Sequence, residues 1–267
     1  MLRNRYILRS VTDMVTKAAK QTIEDLRDGW VEQEPPFTDR LVANLQNQLD
    51  GKTVKGIRWK AKTLTDRGRH SQESTFGADF LGVLTLDLLG LRVMKGFFAQ
   101  AKLIRRGNSR TQASEFERLR DQCHKMLSVT PDSFVFLYSK RGIKIIPASS
   151  VVGTSAEHLN SLWNRTIGRF FTEYVECFVG DPKLNAPSLE KFYAVAERYE
   201  IRQGLYVHAS DEGDLPEPQP EPIKQHQAIR QDTSGRVSQS DTLHEEEDQD
   251  YRIRQVHQPE RVRRLLH

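Results

Sequence analysis

Two nearly unbroken apolar runs, residues 79–89 and 94–104, meet at a Leu89-Gly90-Leu91 turn and constrain this chain more than any other feature. Runs of this length, joined tightly, predict an antiparallel strand pair whose two faces are both covered, so the sheet must lie inside the molecule with helices on either side. The polar groups at one end of the pair then stand out. The first run opens at Gly77-Ala78-Asp79, and the second closes at Gln100-Ala101-Lys102. Side chains alternate across a strand, which places Gln100 and Lys102 on one face. Two polar groups on a buried strand cost several kcal/mol (about 2–7 for an unpaired amide or hydroxyl) unless they are used. Taken singly, an Asp before a strand caps a turn and a strand-end Lys snorkels to the surface. Together they join an acid, an amide oxygen and an ammonium, a set that suits a divalent cation and a polyanion. Asp87 shares the parity of Asp79 but lies eight positions along the strand, about 26 Å away, and cannot reach the same ion.

Around this pair the periodicities alternate. Residues 5–30 carry Ile7, Val11, Met14, Val15, Ala18, Ile23 and Leu26 at helical spacing. Thr38-Asp39 caps a second helix with Leu41, Val42, Leu45 and Leu49, closed by Gly51. Residues 53–64 read as an edge or hairpin strand, 109–127 as a helix, 133–139 and 143–147 as a strand pair that Val151-Val152 extends. A long helix is expected over 159–179, with Trp163 and Phe178 on its buried side, then a short helix at 189–198 and a last short strand at 205–208. This order predicts an α/β or α+β sandwich with a mixed sheet, covering residues 31–210 behind an N-terminal helix over 1–30.

Charge is uneven along the chain. Residues 211–267 hold 13 acidic and 8 Lys and Arg residues of the totals of 36 and 40, which leaves residues 1–210 with a net charge of +9. A basic globule is compatible with nucleic acid. Pro216, Pro218, Pro220 and Pro222 open a Pro-rich and acidic linker over 211–250, expected to be disordered, and a basic segment follows at 251–267. Cys123 and Cys177 stand alone, which argues against a zinc site and for a reducing compartment. No apolar run approaches the about 20 residues that span a bilayer, so no membrane partner and a cytoplasmic location are expected. No P-loop or GxGxxG occurs, and Ser149-Ser150 has no activating His at readable spacing.

Gly77-Ala78-Asp79, the turn, and Lys95-Gly96-Phe97-Phe98-Ala99-Gln100-Ala101-Lys102 resemble the core of the PD-(D/E)xK nuclease superfamily, in particular its Mrr-like restriction endonuclease branch with a QxK motif. The resemblance covers roughly residues 30–150. It implies a restriction-endonuclease-like three-layer sandwich with a mixed central sheet flanked by helices, and a Mg²⁺- or Mn²⁺-dependent DNA endonuclease of the restriction or anti-phage defence type. Carried over by position, Asp79 binds metal, Gln100 ligates through its side-chain oxygen or positions water, and Lys102 stabilises charge or helps orient the nucleophile. Relatives carry one further acid: Glu34 is the first candidate, with Glu32 and Glu24 behind it, and Glu73 is a separate one in the loop before Asp79. Candidate DNA-backbone contacts are Arg105, Arg106 and Arg110 after the QxK motif, and Lys60 and Lys62 on the strand around Trp59; charges guarding an edge strand explain the latter pair equally well. His70 and His158 lack metal-ligand spacing. Two other readings stay open: a catalytically inactive nuclease-fold protein that binds nucleic acid, and a subunit of a defence complex that docks a partner protein through its C-terminal tail. Cutting both strands of a duplex makes a homodimer plausible.

Overall fold

The computed structural model describes residues 2, 4–64, 75–104, 113–155 and 159–211. Glu73, His70, His158, Arg105, Arg106, Arg110 and the segments 212–250 and 251–267 lie outside the described residues. The order is α1 (Arg5–Arg27), α2 (Glu34–Leu49), β1 (Thr53–Val54), β2 (Ile57–Leu64), β3 (Phe80–Leu88), β4 (Leu91–Leu103), α3 (Ala113–Val129), β5 (Ser133–Ser139), β6 (Gly142–Pro147), α4 (Ala148–Val152), β7 (Arg165–Thr166), α5 (Ile167–Val175), α6 (Leu189–Arg198) and β8 (Gln203–Asp211).

The strands form one eight-stranded sheet in the order β1-β2-β8-β3-β4-β5-β6-β7. It is mixed: β3 runs antiparallel to β4 but parallel to β8, and β4 runs parallel to β5. The apolar runs of β3 and β4 require cover on both faces, and they have it. One core joins α1, α2 and α5 to Phe80, Leu84, Phe97, Ala99, Phe136 and Leu205 on one sheet face. The other joins α3, α4 and α6 to Leu81, Val83, Phe98, Val135, Leu137 and Tyr206 on the opposite face. The result is an α/β fold in three layers with the sheet in the middle.

Three local readings are corrected. The long helix expected over 159–179 is broken: a 3₁₀ turn covers Leu159–Ser161, Arg165–Thr166 pairs with β6, and only Ile167–Val175 is α-helical. The cause is a cap inside the apolar pattern, since Thr166 accepts a hydrogen bond from the Arg169 N–H and starts a new helix. Trp163 and Phe178 fall beyond its two ends and are 62% and 67% exposed rather than buried. Val151-Val152 belong to a helical turn that packs on α3, not to a strand. Helix α2 begins at Glu34, four residues before the Thr38 cap, because Pro35 and Pro36 occupy its first turn, where proline loses no hydrogen bond. The hairpin over 53–64, the β3–β4 pair and the helices near 5–27, 113–129 and 189–198 match expectation.

Gly77 fixes the approach to β3. Its φ is +74°, and a Cβ there would sit 2.5 Å from the Gln122 carbonyl oxygen on α3. Gly77→Ala is therefore expected to cost about 1–3 kcal/mol in urea unfolding, through strain and displacement of α3. Unfolding at the wild-type midpoint would contradict that close approach.

Candidate active site

Asp79 and Gln100 face each other because of strand register. Phe80 pairs with Ala99 across the β3–β4 ladder, so the next step outward sets Asp79 opposite Gln100, and the Asp79 N–H donates to the Ala99 carbonyl at 3.0 Å. Gln100 has the parity of Phe98, and Asp79 lies at the bend just before β3. The Gln100 Nε2 group donates to Oδ2 of Asp79, and the Ala101 N–H reaches the same oxygen at 3.2 Å. Gln100 is only 6% exposed, and its Oε1 is buried with no hydrogen-bond partner. An orphaned acceptor of this kind costs about 1–3 kcal/mol and calls for an explanation.

Glu34 reaches the same sheet end from the first turn of α2. Its Oε1 accepts from the Leu103 N–H at 2.8 Å and lies 3.7 Å from Nζ of Lys102. The helix holds this position through several independent clamps. Thr38 Oγ1 donates to the Glu34 carbonyl and shares a hydrogen bond with the Tyr138 hydroxyl on β5, both at 3.1 Å. Phe37 packs on the Tyr138 ring at 4.2 Å between centroids. Gln46 and Asp50, farther along, accept from the Thr63 and Ala61 N–H groups of β2 at 2.9 and 3.0 Å.

Electrostatically the site is a buried Asp79 beside the partly exposed Glu34, with the cations Lys102 and Arg202 near it. Burial pushes the Asp79 carboxyl up to about 6; the Ala101 N–H opposes the rise, the Glu34 charge adds to it, and Arg202 and Lys102 pull it back. Burial likewise raises the Tyr138 hydroxyl, with the Asp79 and Glu34 charges acting in the same direction. Among the described residues no group of three or more His, Cys, Asp or Glu is placed to hold a metal ion. The oxygen donors here are instead two carboxylates and one amide. That set fits Mg²⁺ or Mn²⁺, which take one or two carboxylates and complete their shell with water and substrate oxygens.

Of the residues singled out from sequence, Asp79, Gln100, Lys102 and Glu34 converge. Glu24 lies within α1 and Glu32 in the link to α2. Lys60 and Lys62 alternate with the buried Trp59 and Ala61 on β2, and Lys62 lies 4.0 Å from Asp50. Strand β8 separates β2 from β3, so the two lysines stand two strands away from Asp79. Residues of β8 are what sequence reasoning missed. Gln203 is buried, and its Nε2 donates to the Pro35 carbonyl at 2.9 Å and to Oδ1 of Asp39 at 2.6 Å, gripping the turn that carries Glu34. Arg202 precedes it and acts on the Asp79 charge. No local pattern in Ile201-Arg202-Gln203 marks these positions, which lie far along the chain from the hairpin. Comparison with protein-family models, curated proteins and solved structures yields no match, so the meaning of the site rests on the geometry of these side chains.

Proposed function

We propose that this protein is a divalent-metal-dependent DNA endonuclease with a restriction-endonuclease-like core of the PD-(D/E)xK type and a QxK third motif. The observation that carries the reading is the meeting of Glu34, Asp79, Gln100 and Lys102 at one sheet end, with the Gln100 Oε1 buried and unpaired. Asp79, Glu34 and the Gln100 oxygen would hold Mg²⁺ or Mn²⁺, which supplies charge neutralisation at the phosphate and a more acidic bound water. Rotating the Gln100 amide exchanges its N–H₂ for Oε1 toward Asp79, and a cation between them satisfies both oxygens. Lys102, a quarter exposed, is placed to stabilise negative charge that develops on the phosphodiester. The net charge of +9 over residues 1–210 favours a polyanionic substrate. A defence role and Mrr-like kinship belong to the same proposal and rest on the resemblance alone; a homodimer rests on the need to cut two strands, and a partner docked on the C-terminal tail is the separate subunit reading.

The direct test is supercoiled plasmid incubated with purified full-length protein and Mg²⁺, Mn²⁺ or EDTA. Nicked or linear product is expected with either cation and not with EDTA, and Lys102→Ala is expected to slow the reaction about 100- to 1000-fold with the fold intact. Salt-sensitive DNA binding without cutting would replace the enzyme by a nucleic-acid-binding module. Full activity of Lys102→Ala would remove this site from the chemistry.

A further inference from the structure

We infer that Arg202 is a second phosphate-contacting residue of this active site, standing on the opposite side of Asp79 from Lys102 and gripping the scissile phosphodiester; the inference rests on the nuclease reading above. Strands β3 and β8 are parallel, with Phe80 opposite Gln203 and Leu81 opposite Gly204. One step outward in that register, Arg202 lies beside Asp79, as Gln100 does on the other flank. Directly paired residues project from the same sheet face. The packing bears this out: Phe80 and Gln203 both point toward α2, whereas Leu81, Val83 and Tyr206 point toward α3 and α6. Arg202 and Asp79 each precede this ladder by one residue, side by side at the sheet end and close enough for the Arg202 charge to act on the Asp79 carboxyl.

The row Arg202, Asp79, Gln100 spans three adjacent strands, about 10 Å from end to end, with Lys102 two residues farther along β4. An acid and an amide flanked by a cation on either side can hold a metal-bound phosphodiester from two directions. Arginine adds what lysine lacks, a planar fork that donates two parallel hydrogen bonds to phosphate oxygens. Its neighbour Gln203 anchors the first turn of α2.

The test uses full-length protein and a labelled duplex oligonucleotide, with Ca²⁺ for binding and Mg²⁺ for single-turnover cleavage. Arg202→Ala is expected to flatten the slope of log affinity against log salt by about 0.9, the signature of one lost phosphate contact. It is also expected to slow single-turnover cleavage about 100-fold or more, with a cooperative melt and no loss of Mn²⁺ affinity. Arg202→Lys should restore the salt slope, because the charge returns, but only part of the rate, because the fork does not. Cleavage within threefold of wild type and a full salt slope in Arg202→Ala would overturn the inference while wild-type cutting leaves the nuclease reading standing. Loss of rate together with loss of Mn²⁺ affinity or of a cooperative melt would also overturn it, by assigning Arg202 a structural role. A wild-type chain that cuts under no condition overturns the nuclease reading and this inference with it.

Discussion

Asp79→Asn is expected to abolish metal-dependent cleavage and, in EDTA above pH 6, to make the protein more stable than wild type. Both effects come from one carboxylate. Burial raises the Asp79 carboxyl from 3.8 to about 6, so the fold disfavours its charged form. Below about pH 3.8 the acid is neutral in folded and unfolded chains, and it costs nothing. As pH rises from about 3.8 to about 6 the unfolded chain releases its proton before the folded one does, and stability falls. The full penalty, present above pH 6, is at most roughly 3 kcal/mol. An asparagine avoids it and still accepts the Ala101 N–H through its amide oxygen. Urea unfolding of the two proteins in EDTA should therefore coincide near pH 4 and separate at pH 8, with the variant unfolding later. Added Mg²⁺ should reverse the order at pH 8, because ligand binding to the folded state stabilises only the protein that retains the carboxylate. A variant less stable than wild type at pH 8 in EDTA would show that Asp79 is a structural acid already satisfied by its neighbours.

Phe97→Ala should produce the largest loss of stability in the described core, about 3–5 kcal/mol, because it opens a cavity that its neighbours cannot close. Phe97 is fully buried on β4, and its ring lies 4.9 Å from that of Phe170 and 5.0 Å from that of Tyr174, both on α5. Phe80, Phe134 and Phe136 surround it from adjacent strands at 5.8–6.0 Å. The same ring fills the space that a side chain at Gly82 would take on β3. It is thus the piece that fastens α5 to the centre of the sheet. A domain of this kind has about 5–15 kcal/mol in total, so the variant should have lost a large share of its margin, seen as a marked drop in urea midpoint. Phe97→Leu, which keeps most of the volume, should cost much less. Similar losses from the two variants would mean that the aromatic cluster is not the fastener described here. Because Phe97 points away from Gln100 and Lys102, residual folded protein should keep its cleavage rate per molecule.

Hairpin and site differ in how legible they were. The β3–β4 pair was readable because two apolar runs around one turn leave few alternatives, and because the period of two puts Gln100 and Lys102 on one face without reference to the rest of the chain. Glu34 was legible only as one of several acids. Its selection depended on the entry angle of α2, set by Pro35 and Pro36 in the first turn and by the Thr38–Tyr138 and Gln203 clamps. Periodicity predicts one long helix over 159–179 because aromatic residues at helical spacing continue across the Thr166 cap, where local hydrogen bonding outweighs periodicity.

The sequence by itself determined the buried hairpin, the acid at its start, the amide and lysine at its end, and the need for helices on both faces. Each of these follows from local patterning, since strand parity and apolar continuity are properties of neighbouring residues. Only the tertiary structure decided which strand lies beside Asp79. Strand β8, from the far end of the described chain, enters between β2 and β3 and brings Arg202 and Gln203 to the site. Pairing between strands so far apart in sequence is settled by how two apolar faces are jointly covered, a property of the whole packed sheet that no short segment records.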